Sequence, residues 1–200
     1  MERIRTIELR DIESKEQLGG YSGQIVTCIT NAFGHEMPED EVEKALHGEH
    51  IALAITRDTE EVVGFTKLRS LSSEESVEFG HKPESVGYSL GAATVSKPFQ
   101  GLGIYRHLNK VSVLYAVEKH AELLVTRTQN PRVEGGLISV MDELAGQNIL
   151  TYRLERFHQP GFYGRRLTKD PLVTAGTPFS ELNIDAGDCF RIIFHLDYRS

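Results

Sequence analysis

A mixed α/β fold around a central, mostly antiparallel sheet is what this sequence predicts, and three observations predict it. Short apolar runs alternate with longer stretches of helical period, in the order strand, two helices, three strands, helix, strand, helix, strand. The runs Ile51–Thr56 and Val62–Leu68 are joined by the polar Arg57-Asp58-Thr59-Glu60, which reads as a hairpin. Residues 86–95, 103–120 and 123–126 read strand, helix, strand, so one parallel, right-handed crossover is expected inside an otherwise antiparallel sheet. The 200 residues suit a single domain over 1–200, long enough to bury a core without disulfides or metals.

Each element has a local reason. Residues 3–10 alternate, with Ile4, Thr6 and Glu8 on one face and Ile7 and Leu9 on the other, and suggest a first strand. Ser14 can cap a helix that reaches Phe33 with an interruption at Gly19-Gly20. Pro38 followed by Glu39, Asp40 and Glu41 reads as the first turn of a second helix, where acids complement the dipole, and Gly48 ends it. The acidic, turn-rich 72–85 reads as a loop. Residues 86–95 form a small-residue strand whose two glycines suggest a bulge or a close backbone approach. The helix from Gly103 to about His120 carries the stripe Ile104, Leu108, Val111, Leu114, Tyr115, Val117. Leu123–Thr126 is a buried strand, and Asn130-Pro131 starts a helix that stops at Gly146. A strand at 150–154, a turn-rich 158–188 and a strand at 190–196 complete the chain.

Composition narrows the function. Net charge is −7 and the pI is about 5.6, so phosphate backbones are repelled and nucleic acid is not an expected main partner. No apolar run reaches the ~18 residues of a membrane span, and the charged start Met1–Glu8 lacks an apolar signal region. A cytoplasmic protein with no membrane partner is expected. Cys28 and Cys189 sit among apolar residues and read as buried free thiols. His47-x-x-His50, with His35 upstream, is better explained by a helix end and a strand start than by a metal, and no metal is expected.

The informative stretch is Val95-Ser-Lys-Pro-Phe-Gln-Gly-Leu-Gly-Ile-Tyr105. A strand ends, a glycine-rich turn follows, and a helix begins at the turn. The first helical N–H groups have no intrahelical acceptor and are backed by the positive end of the dipole, so they suit a diphosphate. A plain β–α turn uses glycines in the same way. The P-loop pattern with its Gly-Lys-Ser/Thr is absent, and the dinucleotide fingerprint fails because Arg106 stands where its third glycine belongs.

The stretch resembles the pyrophosphate loop of the GNAT superfamily of N-acetyltransferases, written Arg/Gln-x-x-Gly-x-Gly/Ala. Gln100 and Gly103 match, and Tyr105 departs at the last position. Val95, Pro98 and Asn130 occupy places where that family often has those residue types, and the element order over 3–146 agrees. The resemblance implies a GNAT-like fold in which the strands at 86–95 and 122–127 splay apart around the pantetheine of acetyl-CoA, the co-substrate. It implies that the amides of Leu102, Gly103, Ile104 and Tyr105 hold the pyrophosphate while Gln100 and Gly101 shape the turn. Main-chain groups of Thr94 and Val95 would bond the pantetheine arm, with the Val95 N–H polarising the thioester carbonyl. Asn130 would add a cofactor contact beside its N-cap role.

The implied reaction moves an acetyl or short acyl group from acyl-CoA to a primary amine, either a small molecule or a peptide. Tyr163, in Gly161-Phe162-Tyr163-Gly164, is the expected acid and Tyr152 the runner-up. Relatives often carry a basic glutamate on or before the fourth strand; here that strand has no carboxylate, and Glu84 and His81 lie upstream of it. The alternative is a catalytically silent CoA-binding module of the same fold. A homodimer is left open.

Overall fold

The computed structural model describes residues 7–12, 15–34, 36, 39–167 and 174–198. Along the chain these form β1 (Ile7–Ile12), α1 (Lys15–Phe33), α2 (Glu39–Leu46), β2 (His50–Thr56), β3 (Val62–Ser70), α3 (Ser73–Glu78), β4 (Gly87–Val95), α4 (Ile104–Glu118), β5 (Leu123–Thr128), α5 (Pro131–Gly146), β6 (Thr151–Gln159) and β7 (Cys189–Asp197). The fold is the expected mixed α/β class: seven strands in the order β1-β2-β3-β4-β5-β7-β6, with β4 and β5 parallel. The chain forms two compact units, Met1–Arg69 with Leu90–Ser112, and Ser70–Ser89 with Val113–Ser200. No helix among the described residues is long and apolar enough to cross a membrane.

In the first unit the expected hairpin is present, β2 and β3 pairing antiparallel with Leu53 opposite Phe65. Strand side chains alternate between faces, so one strand feeds two cores. On β2, Ile51, Leu53 and Ile55 pack with Phe65 against Ile25, Cys28 and Ile29 of α1. Ala52 and Ala54 point the other way, into a cluster with Val63, Val95 and the α4 residues Ile104 and Leu108. Small residues are needed on that second face. A Cβ at Gly64 would stand 3.1 Å from the Thr94 carbonyl oxygen and 3.2 Å from Leu108, so glycine lets α4 seat directly on the sheet.

In the second unit α5 is capped as expected, the Asn130 side chain accepting from the Arg132 N–H at 2.9 Å with Pro131 in the first turn. β7 pairs antiparallel with β5 on one side and β6 on the other. The last strand in sequence is therefore interior, which explains its buried run Ile192–Phe194.

Four local expectations need correction. The first strand covers Ile7–Ile12 and so extends past residue 10; residues 3–6, Ser14, His35 and Pro38 lie outside the described residues. Helix α1 runs through Gly19-Gly20 without a break, because Leu18, Tyr21, Ile25, Cys28 and Ile29 on one face are held by the core and outweigh the ~1 kcal/mol each glycine costs. Residues 72–85 are not all loop. Ser72 accepts from the Glu75 N–H while Glu75 returns the bond to the Ser72 N–H, and this capping box nucleates α3. β6 continues past Leu154 to Gln159 because all nine of its residues find partners on β7.

Candidate functional site

The turn between β4 and α4 lies wholly in the first unit. Gly101 and Gly103 both adopt left-handed backbones, φ +77° and +79°, which glycine takes without a steric penalty. Lys97–Phe99 make one 3₁₀ turn, started by Pro98. Gln100 then folds back, its Nε2 donating to the Val95 carbonyl at 2.9 Å. The side chain thus ties the turn to the strand it leaves. The first rung of α4 runs from the His107 N–H to the Gly103 carbonyl, at 3.1 Å. The amides of Ile104 and Tyr105 precede that rung and lie outside the helical ladder, at the positive end of the dipole. The His107 ring Nδ1 meets the same Gly103 carbonyl at 2.9 Å.

Strand β4 is distorted just before the turn. Ala92 has φ +53°, a left-handed conformation that costs a residue with a Cβ about 1–2 kcal/mol. The Thr94 hydroxyl donates to the Ala92 carbonyl at 2.9 Å and props the kink. Strain of this kind in mid-strand redirects backbone groups and concentrates at binding sites. Thr94 and Val95 themselves are buried. Tyr105, the departure from the family pattern, packs against the Ala52–Val63–Ile104 cluster. Its hydroxyl is buried, and burial pushes the phenol up to about 12 while the Asn109 side chain pulls the other way.

Asn130 and Tyr163 belong to the second unit. The Asn130 carbonyl oxygen is used by the cap, and its own N–H donates to Thr128 Oγ1 at 2.9 Å. The Tyr163 hydroxyl donates to the Arg127 carbonyl at 3.0 Å, and its N–H to the Gly187 carbonyl. Phe162 stands edge-on to Tyr163 and under the Arg127 guanidinium. Tyr152, the runner-up acid, donates to Asp142 at 2.5 Å, and burial with that carboxylate pushes it up to about 12.

Sequence reasoning passed over Gln129. Its buried Nε2 donates to the carbonyls of Arg165, Ile184 and Asp188, while its Oε1 accepts from the Leu167 N–H. One side chain fastens both ends of the 160–188 connection that carries Tyr163. Asp188 adds a second clasp, accepting from the Gly161 and Asn183 amides, which hold its carboxyl below the usual range. A glutamine beside an N-cap asparagine gives no signal in sequence, because its partners are 36–59 residues away.

Cys28 and Cys189 are free and buried, as expected. Ser96 donates to the Cys28 sulfur at 3.3 Å. His47 Nδ1 lies 2.7 Å from the Glu43 carbonyl and His50 Nε2 lies 3.2 Å from Asp11, and no group of three metal-ligating side chains occurs among the described residues.

No protein-family model and no curated protein matches the chain. Solved structures do. An Arabidopsis thaliana NAA60 in complex with a bisubstrate analogue superposes with a TM-score of 0.61 at 15% identity, over 95% of this chain and 98% of that one. The ribosomal-protein-S18-alanine N-acetyltransferase from Escherichia coli gives 0.58 at 10% identity, over 97% and 96%. A mosquito arylalkylamine N-acetyltransferase-like protein gives 0.58 at 10%, over 94% and 98%. With a mixed seven-stranded sheet, a parallel β4–β5 pair and neighbours of this kind at nearly full length, the chain has the fold of the GNAT N-acetyltransferases.

Proposed function

We propose that this chain transfers an acetyl or other short acyl group directly from acyl-CoA to a primary amine. The observation that carries the reading is the strand–turn–helix from Ala92 to His107: a kinked strand, two left-handed glycines and helix-start amides outside the ladder. The neighbours support the same class, since Arabidopsis NAA60 was solved with acetyl-CoA and a NatC complex with Gag peptide and CoA. The amides of Leu102, Gly103, Ile104 and Tyr105 hold the pyrophosphate, and Gln100 and Gly101 shape the turn around it. Main-chain groups of Thr94 and Val95 bond the pantetheine arm. The Val95 N–H polarises the thioester carbonyl, an oxyanion-type contribution of ~2.7–4 kcal/mol. Tyr163 returns a proton to the departing thiolate, and Asn130 adds a cofactor contact through its amide NH₂. The acceptor is a small-molecule or peptide amine.

A CoA-binding module without turnover is the second reading. It is favoured by one observation: the Tyr163 proton is already engaged with the Arg127 carbonyl. Incubating the protein with acetyl-CoA and a panel of polyamines, amino acids and peptides separates the two. Free thiol release supports transfer, whereas coenzyme-dependent thermal stabilisation without thiol supports the module. The turn itself is tested by two substitutions that share the left-handed strain. Gly103→Glu places a carboxylate in the anion site and abolishes coenzyme A binding by calorimetry, while Gly103→Ala weakens it far less. Equal affinities in the two variants defeat the assignment.

A further inference from the structure

The acceptor of acyl transfer is an ammonium near neutral pH and cannot attack until it loses a proton. The nine residues of β4, Gly-Tyr-Ser-Leu-Gly-Ala-Ala-Thr-Val, include no carboxylate to take it. At Gly91, one residue before the kink at Ala92, the strand has no side chain at all, and another residue uses that space. A Cβ at Gly91 would meet a single neighbour, Lys67 Cε, at 3.7 Å. Lys67 is on β3, in the same unit, opposite Ile51 and on the face that carries Phe65. Ala92 packs against that same cluster.

We infer that Lys67 is the group that takes the proton from the acceptor ammonium, an inference that rests on the acyl-transfer reading above. Its nitrogen is held by α2. Nζ donates to the Lys44 carbonyl and, at 3.0 Å, to the His47 carbonyl, at the C-terminal end of α2. A neutral amine has two N–H bonds and one lone pair. The two carbonyls occupy both N–H bonds, so the lone pair is the remaining valence and is held in one direction. Burial pushes the Lys67 ammonium down to about 8, and repulsion from Arg69 on the same strand acts in the same sense. Among the described residues, the other charged or titratable side chains on the segments packed against it are Glu43, Lys44 and His47 at the end of α2, and Glu49 ahead of β2.

The step balances. The acceptor R–NH₃⁺ gives one proton to the Lys67 lone pair. The resulting R–NH₂ attacks the acyl carbon, the C–N bond forms and the C–S bond breaks. The thiolate leaves with the electron pair. The attacking nitrogen loses its second proton as the amide forms, which balances the proton the departing thiolate takes up to become the thiol, and the Lys67 ammonium returns its own proton to water. An approaching cationic acceptor disfavours a second positive charge beside it, which helps keep Lys67 neutral.

Lysine stapling α2 to β3 as a purely structural cation is the competing role, and arginine distinguishes the two. Lys67→Arg retains the charge and the donors to both carbonyls but offers no lone pair at any usable pH. With acetyl-CoA and the most active amine of the panel, wild-type kcat/KM is expected to rise with pH and level off through an inflection near 8. Lys67→Arg is expected to lose about 10²-fold or more, to lose the inflection, and to keep its acetyl-CoA affinity and melting temperature. Lys67→Cys, alkylated with 2-bromoethylamine, restores a less basic amine at the same reach, so rate returns with the inflection moved to lower pH. Lys67→Arg turning over at the wild-type rate with the wild-type profile overturns the inference and leaves acyl transfer standing. Wild-type protein that binds acetyl-CoA but releases no thiol with any amine overturns both.

Discussion

At the residue scale, the geometry of the turn was legible where it is a backbone property. Gly101 and Gly103 are needed for their φ angles, and a φ near +78° is something glycine announces in sequence. Gln100 ties the turn to its strand through the Val95 carbonyl. Side chains whose chemistry depends on distant partners were not legible. Lys67 is an unremarkable lysine in an apolar strand until α2 brings two carbonyls to it. Tyr163 is the test case among residues named in advance. Tyr163→Phe removes the hydroxyl and its bond to Arg127, and if that hydroxyl protonates the thiolate, kcat falls about 10²-fold while acetyl-CoA affinity is unchanged. Equal kcat in both proteins removes Tyr163 from the chemistry.

At the element scale, α4 and α5 were read correctly and α3 was not. α4 and α5 carry apolar residues at helical spacing over four turns, a signal that survives any tertiary context. Helix α3 is only six residues and was hidden in an acidic stretch, although Ser72-x-x-Glu75 spells its capping box. The connection after β6 is held by features from elsewhere in the chain. Gly187 has φ +89°, and a Cβ there would stand 2.3 Å from the Gly164 nitrogen. Both faults fall on backbone, which has nowhere to yield. Gly187→Ala is therefore expected to cost about 2–3 kcal/mol in denaturant unfolding. A stability within 0.5 kcal/mol of wild type would show that the Gly161–Asp188 clasp is not formed as described.

At the scale of the whole molecule, one contribution to stability toward acid comes from a contact that joins residues 114 apart. His81 Nε2 and His195 Nδ1 stand 2.8 Å apart with their rings stacked at 17°. Glu122 lies 3.6 Å from the outer nitrogen of His81, and Glu155 lies 3.4 Å from that of His195. One proton between the facing nitrogens holds the pair together; with both rings charged, two N–H groups face each other and the bond is lost. Burial pushes His195 down to about 4, with Arg153 and His81 adding repulsion. The unfolded chain takes up that proton at the ordinary imidazole value of ~6.5, so between pH 6.5 and 4 it binds more protons than the folded chain. The stabilisation is present in full above 6.5 and is lost as pH falls toward 4. After allowance for partial solvent screening the loss is about 1–2 kcal/mol. His195→Gln should flatten the melting temperature across this window; an unchanged slope would assign the acid sensitivity to other groups.

From the amino-acid order alone came features under short-range control: the types of the longer elements, the β2–β3 hairpin, the β4–α4–β5 unit, the Asn130 cap and the glycine turn that opens α4. Steric limits on φ, side-chain periodicity and unsatisfied helix amides act over a few residues, so they can be read without knowing what packs where. Packing settled the rest: β7 enters between β5 and β6, the distortion of β4 falls at Ala92, Gln129 clasps three distant carbonyls, and Lys67 fills the space Gly91 leaves. Those outcomes depend on which groups are desolvated together, and desolvation is a property of the packed molecule, not of any segment of it.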